Sequence, residues 1–542
     1  HPLIRLNHAT WLRKVGRRDE ALVAYRTVVA AMPGHAKAWI ELGQAALEAN
    51  RATEARDALA TGVRLQPASP IGWHALGNAQ RSLGELEAAA QSFQRTIELA
   101  PQLRSAWINL GSVQRLTGRS AAAVATFEQA ARLGPGGPEL GDAMSGALLD
   151  QGRVEDAIAN ARDVVRRFPE FVGGHATLAK MLWEYGPAFA PQDDAVAIFR
   201  AATRDRPADR NLRVAFARFL LSANQSEEAL AEVRAVRVDW ARPELAALEA
   251  NALEKLGRTG EAGVIYAQLH QAWGASEPAF LNTYARHLMT AGRWDAAAAR
   301  LEEATRVAPL NQEAWANLGT AWRLLGDPRE AWLCDYERLV GAIDVEPPDG
   351  MDEAGFLASL RAALEPLHQA GREPLQQSLR SGSQTPGFLF GRDDPAIVAA
   401  REAFRRAVQG WIATLPDDPT HPFLSRKAPG IRFSGSWSVR LWSSGKHVNH
   451  IHPEGWMSSA FYVALPPSLG AVQAGGGQAG YIQFGQPPDE LGLDLPPRRV
   501  VQPRPGRLAL FPSYFWHGTV PFEDAAPRVT VAFDMLPVAA PT

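Results

Sequence analysis

The chain has 542 residues, too many for a single core, so two or more domains are expected. Charged residues make up 21% and hydrophobic ones 46%, with a formal net charge of -2, which argues against a basic nucleic-acid-binding surface and against an acidic disordered arm. Cys334 is the only cysteine, which excludes an internal disulfide and a thiolate-rich zinc site. It reads as a small apolar residue on a helix, and the composition is compatible with a reducing, cytoplasmic compartment. No apolar run approaches the roughly 18 residues of a membrane span. His1-Pro2-Leu3-Ile4-Arg5 lacks the apolar core of a signal peptide. The chain does not begin with Met, which predicts trimming and leaves a removed targeting segment open.

The first 340 residues are periodic. Pro33, Pro67, Pro101, Pro135 and Pro169 each follow the last by 34 residues, as do Ala21, Ala55, Ala89, Ala123 and Ala157. Trp39, Trp73 and Trp107 keep the same period, and so do Gly43, Gly77 and Gly111. Each unit reads as two helices. Trp107 and Leu110 share one helix face, and Gly111 leaves room for the neighbouring helix. The alanines sit where helices cross closely, and the prolines end one unit or start the next. The tryptophans at this spacing are expected to be core residues rather than ligand contacts.

These features resemble tetratricopeptide repeats, most closely over residues 5–170. Gly186-Pro187-Ala188-Phe189-Ala190-Pro191 looks like an insertion, and a clean unit returns at Ala314-Trp315-Ala316-Asn317-Leu318-Gly319. The resemblance implies about nine units over 1–342, in a right-handed solenoid whose concave face binds polypeptide, with a second copy of the chain among the candidates. A spacer or dimerisation arm is the plainer reading.

Val345-Glu346-Pro347-Pro348-Asp349-Gly350 breaks the pattern, and 343–372 is expected to hold a linker and one helix, drawn at 352–370. Pro374 to Thr385 reads as a polar loop, and 394–414 as a helix. From 430 onward short β-rich runs alternate with Gly and Pro: Trp437–Trp442, Phe461–Leu465, Tyr481–Phe484, Leu508–Phe511 and Val529–Phe533. The expected fold class is multidomain: an all-α solenoid, then an α+β domain over 373–542 with a jelly-roll core.

Three of the thirteen histidines fall within six positions, at His447, His450 and His452. On a strand, His450 and His452 point to one face, while His447 and Asn449 point to the other. A third imidazole is available at His517, after the apolar run Phe511-Pro512-Ser513-Tyr514-Phe515-Trp516. Two nitrogen ligands from one strand, a third from a distant strand and open positions left over describe an oxygen-activating iron site. Glu454 is a rival ligand, paired with His452. Zinc or another metal in a cupin-like barrel is a further reading. Eleven residues after His517, Arg528 and Thr530 share a strand face, where a guanidinium fork and a hydroxyl suit a carboxylate. Ser459 and Tyr462 are candidates for the cosubstrate wall. Trp456, Arg440 and Trp442 are candidates for the rest of the pocket. Each also reads simply as a barrel residue.

This pattern resembles the iron(II)- and 2-oxoglutarate-dependent oxygenases, whose double-stranded β-helix carries a His-x-Asp pair, a distal His and Arg-x-Ser/Thr. More narrowly, 374–536 resembles a bacterial branch fused to tetratricopeptide repeats. That branch shares the stretch Gln377 to Thr385, then His450-Ile451-His452-Pro453 and Ser459-Ala460-Phe461-Tyr462-Val463, with Phe461 where the branch has Tyr. The resemblance implies Fe(II) on His450, His452 and His517, with 2-oxoglutarate chelating the iron and reaching Arg528 and Thr530, and O2 as oxidant. His452 in place of the acid is a departure that leaves three neutral ligands. The expected activity is hydroxylation of a protein or peptide side chain, with no nucleic-acid or membrane partner. Two alternatives stay open: a scaffold whose barrel binds metal without turnover, and an oxygenase of a small molecule that uses the repeats for dimerisation.

Overall fold

Trp39, Trp73 and Trp107 each donate the indole N–H to the carbonyl of the proline six residues earlier, Pro33, Pro67 and Pro101, at 2.8, 2.8 and 2.9 Å. The two periodic residues are therefore halves of one contact that fixes the entry into each first helix. The tryptophans are half-buried and pack at the edge of the core rather than inside it. Ala21, Ala55, Ala89, Ala123 and Ala157 are fully buried. A Cβ on Gly77 or Gly111 would stand 2.6 or 2.4 Å from the ring of Phe93 or Phe127, so only glycine permits that approach.

The computed structural model describes residues 2–134, 136–273, 277–375, 378–470 and 477–538. Pro135 and Gln377 of the expected motifs lie outside the described residues. The chain falls into two compact units, His1–Phe168 and Pro169–Thr542. The first is five helical pairs, from Pro2–Lys14 with Arg18–Ala31 to Pro138–Asp150 with Val154–Arg167. Among the described residues, no helix is long and apolar enough to cross a membrane.

The second unit opens with four helical pairs, whose first helices are Val172–Phe189, Arg210–Ser222, Pro243–Lys255 and Pro278–Thr290. His175 stands at the Trp position of its repeat and makes the same bond to Pro169 O, at 2.9 Å. The residues of the expected insertion lengthen a helix: Val172–Phe189 runs through Pro187 in its last turn, where a missing amide costs the ladder least. One turn earlier, the Glu184 carbonyl accepts the amides of Gly371 and Arg372 at 3.0 and 3.1 Å and so holds the chain entering the sheet domain. The helix Gln312–Leu325 follows the fourth pair, and Trp315 repeats the indole bond, to Pro309 O.

Among the described residues the sheet domain has nine strands: β1 (Gly341–Asp344), β2 (Leu379–Gln384), β3 (Gly430–His447), β4 (Met457–Ala464), β5 (Ile482–Phe484), β6 (Arg499–Val501), β7 (Arg507–Pro512), β8 (His517–Thr519) and β9 (Arg528–Val538). Six form an antiparallel sheet in the order β1-β7-β4-β9-β3-β2, and three form a second, β6-β5-β8. β1 lies at the edge of the stretch expected to be a linker. β2 corrects the expected loop at Pro374–Thr385. Polar, glycine-containing edge strands carry little periodic signal, and β2 forms because β3 offers it a ladder from Leu379↔His447 to Gln384↔Val439. The helices Glu353–Leu364 and Pro395–Thr414 bring Phe356 and Phe404 against Phe461, and Phe404 against Phe533, on one face of the larger sheet.

The opposite face is polar. Along β9, alternation places Arg528, Thr530, Ala532 and Asp534 on one cavity wall, while Phe533 points to the helices. A bulge between Phe433 and Gly435 shifts the register of β3, so that Phe433 packs on Phe390 while Trp437 and Val439 face the cavity.

Candidate metal and cosubstrate site

β3 ends at His447, so His450 and His452 lie in the segment between β3 and β4 rather than on a regular strand. Asn449 turns away there. Its amide donates to Pro487 O and its Oδ1 accepts Gln483 Nε2. The backbone stays extended at one point, because His450 and His517 form a single antiparallel bridge. His452 N then donates to Ser513 O at 3.0 Å. Gly518 lets this segment approach: a Cβ there would stand 2.3 Å from Asn449 Oδ1.

The three imidazoles converge. One ring nitrogen from each of His450, His452 and His517 lies within 4.8 Å of the others, the one such group of three metal-ligating side chains among the described residues. Every Nδ1 has an acceptor: Val448 O at 2.8 Å for His450, Asp534 Oδ2 at 2.8 Å for His452, and Phe515 O at 2.9 Å for His517. A neutral imidazole has one N–H, so these bonds place the proton on Nδ1 and leave Nε2 with a free lone pair, the form that binds metal. Burial, then the neighbouring imidazoles, holds His450 and His517 well below the ordinary histidine range, which keeps them neutral. The donor set fits iron, with positions left for other ligands. Glu454 is exposed in the turn after His452 and lies at the cavity rim, outside the converging group.

Sequence reasoning missed Asp534. It is buried, bonds His452 with one oxygen and accepts Ser458 Oγ at 2.6 Å with the other. Its signal was its parity with Arg528 and Thr530 on β9. It places one carboxylate beside a converging group that is made of imidazoles alone. Trp437 stacks on His452 at 5.6 Å and restricts that ring further.

The cavity beside these rings has a volume of about 480 Å³. Arg528, Thr530, Ser459 and Gln384 line it. Arg528 is 3% exposed, and its Nε has no hydrogen-bond partner. Its guanidinium lies 4.9 Å above the Tyr462 ring. A buried cation with an open N–H suits an anionic partner. Ser459 is committed to strand bonding, donating to Phe533 O and accepting Phe533 N. Trp456 bonds Phe423 O, while Arg440 stacks on the 40% exposed Trp442, and all three stand outside the cavity wall.

His447 corrects the expected alternation. It lines the cavity rather than the far side, because the strand stops there and the chain bends before His450. Its Nδ1 meets Ser378 Oγ at 2.9 Å, and burial with the nearby Arg528 pushes its pKa down to about 3.

The run before His517 is a set of struts. Tyr514 Oη donates to Leu333 O at 2.8 Å, Phe515 packs on Tyr336, and Trp516 Nε1 donates to Thr320 Oγ1 at 2.9 Å. Arg323 adds bonds to the carbonyls of Gly485 and Pro496. The last repeat helix therefore supports the segment that delivers His517.

Residues 435–534 match the family described as "Putative 2OG-Fe(II) oxygenase". Tetratricopeptide families match at 12–78, 74–138 and 284–343. No curated protein matches the chain. Among solved structures it is similar to MamA, at 23% identity over 31% of this chain and 92% of that one, with a TM-score of 0.30. It is also similar to a tetratricopeptide repeat protein from Parabacteroides merdae, at 11% identity over 46% and 98%, with a TM-score of 0.37. Another such protein, from Thermus thermophilus, is 23% identical over 34% and 100%, with a TM-score of 0.28. The chain thus carries tetratricopeptide repeats and, toward its C-terminus, a domain of the family described as "Putative 2OG-Fe(II) oxygenase".

Proposed function

We propose that this chain is an iron(II)- and 2-oxoglutarate-dependent dioxygenase that hydroxylates a side chain of a protein or peptide held by its repeats. The observation that carries this reading is the pairing of three Nδ1-bonded imidazoles with Arg528, whose Nε has no hydrogen-bond partner, in one cavity. His450, His452 and His517 would hold the metal through Nε2. Arg528, with Thr530 beside it, would hold the far carboxylate of the cosubstrate, and Tyr462 would flank the guanidinium. When bound, iron and 2-oxoglutarate consume O2, yield succinate and CO2, and leave one oxygen atom in a substrate C–H bond. Asp534 holds His452 in its binding tautomer and balances charge. The apolar wall of Val439 and Ile482 limits water around the reacting position.

The test is succinate formation by the full chain with Fe(II), 2-oxoglutarate and O2, with and without peptide. Succinate that depends on all three and is lost in His517→Ala supports the reading. Stable metal binding with no succinate under any condition leaves the scaffold alternative.

A further inference from the structure

The site cavity opens into a groove along the repeats. Ser378, His450, Ile451 and Pro453 line both the site cavity and a neighbouring cleft of about 710 Å³. That cleft shares Arg218, Ser222 and Leu375 with a third, of about 720 Å³, which extends past Trp240 and Arg242. The walls are the first helices of successive pairs, Val172–Phe189, Arg210–Ser222 and Pro243–Lys255, all within the second unit. On Arg210–Ser222, Asn211, Ala215, Arg218 and Ser222 form one helical face, and on Pro243–Lys255 so do Glu244, Leu248, Asn251 and Lys255.

Several arginines on these repeats are paired, as in Arg200–Glu228, Arg213–Glu232 and Arg234–Glu249, at 2.7, 2.8 and 2.8 Å. Inside the groove, the exposed Arg218 and Lys255 make no ion pair among the described residues, and Arg242 lies only over the Trp240 ring, at 4.3 Å. Toward the site the cleft carries Glu313 and Glu490, which share Arg286 at 3.8 Å, and Glu373, which accepts the Ser381 amide. The cleft farther from the rings differs: Glu244 is the one carboxylate on its wall, beside Arg218 and Arg242.

We propose that this groove holds an extended, acidic polypeptide segment, whose carboxylates pair with Arg218, Arg242 and Lys255 and whose oxidised residue enters the cavity beside His450. The proposal rests on the reading given under Proposed function and adds to it the substrate's charge and path. An extended chain suits the site because the groove is long and ends at the metal-binding rings. The exposed amides of Asn211 and Asn251 offer both donor and acceptor to a backbone. Forked guanidinium pairing makes glutamate or aspartate the matching side chain.

The test uses full-length protein and a fluorescein-labelled peptide of alternating glutamate and glycine, read by anisotropy against its lysine counterpart. The glutamate peptide binds and the lysine peptide does not. Arg218→Glu with Lys255→Glu weakens binding about tenfold or more, and added salt weakens it in wild type. Both side chains are exposed, so the melting temperature of the double variant stays at the wild-type value. His517→Ala binds the peptide as wild type does, which separates the groove from the chemistry. Peptide binding without succinate overturns the enzymatic reading and leaves the groove. Succinate formation with equal binding of both peptides, or of neither, overturns the groove. Preferential binding of polyuridylate over the glutamate peptide also overturns it, in favour of a nucleic acid.

Discussion

His450 and His517 exchange both backbone hydrogen bonds, N to O at 2.9 and 3.0 Å, and their rings stand 4.2 Å apart. The chain between them contributes β4, β5, β6 and β7, so two converging nitrogens are aligned by main chain from distant parts of the sequence. Side-chain replacement therefore removes a ligand without removing the alignment. His517→Ala is expected to abolish succinate formation and weaken Fe(II) or Co(II) binding. The circular dichroism spectrum stays unchanged, because the backbone bridge does not depend on the ring. Wild-type metal affinity in this variant would exclude His517 as a ligand.

Asp534 is the carboxylate against His452. In Asp534→Asn the amide can present N–H to Nδ1, which favours the tautomer that protonates Nε2. Metal affinity should fall roughly 10–100-fold, as for other partners of ligating histidines. Isothermal titration with Co(II) measures this apart from turnover, and an unchanged affinity would reduce Asp534 to a packing role.

Arg528→Lys keeps the charge but loses the planar fork. If the guanidinium holds the cosubstrate, the KM for 2-oxoglutarate rises by about 10–100-fold, the range of a charged hydrogen bond lost at a buried site. The affinity for Co(II) alone stays near wild type. A variant that loses metal as well as cosubstrate would point to collapse of the cavity.

His368 bridges β2 and β3, meeting Ser383 Oγ at 2.9 Å and Ser438 Oγ at 3.1 Å. Burial, then Arg440, lowers its pKa to about 4. The folded-state value lies below the unfolded one, so the unfolded chain takes up the proton first as pH falls. The stability it contributes is therefore present above pH ~6.5 and lost progressively toward pH ~4. His368→Gln should flatten that part of the melting-temperature profile measured by calorimetry. An equally steep fall in the variant would assign the acid sensitivity to other groups.

Trp107→Phe removes the indole donor to Pro101 O while keeping an aromatic ring. The cost should be about 1 kcal/mol, the usual net value of such a bond. Urea unfolding measures it, and a change near zero would mean that packing alone fixes the repeat entry.

Periodicity made the repeats legible, because every unit solves the same problem of packing two helices. Trp, Gly, Ala and Pro recur wherever the same contacts recur. Four strands of the larger sheet, β3, β4, β7 and β9, were legible from their β-rich runs, and Arg528 with Thr530 from strand alternation. The sequence by itself thus determined the repeat architecture, the sheet-rich C-terminal part and the set of side chains able to serve a metal and an acid. Only the tertiary structure decided how those side chains are presented. β3 stops at His447, so local alternation fails and His447 turns into the cavity. The binding tautomers depend on Val448 O, Phe515 O and Asp534, contacts set by chain geometry that no spacing rule encodes. Likewise β2 exists because β3 offers it a ladder, and Trp516 holds the His517 segment because Thr320 of a repeat helix is beside it. Local propensity and period are written along the chain, whereas partners distant in sequence meet only once the chain has folded.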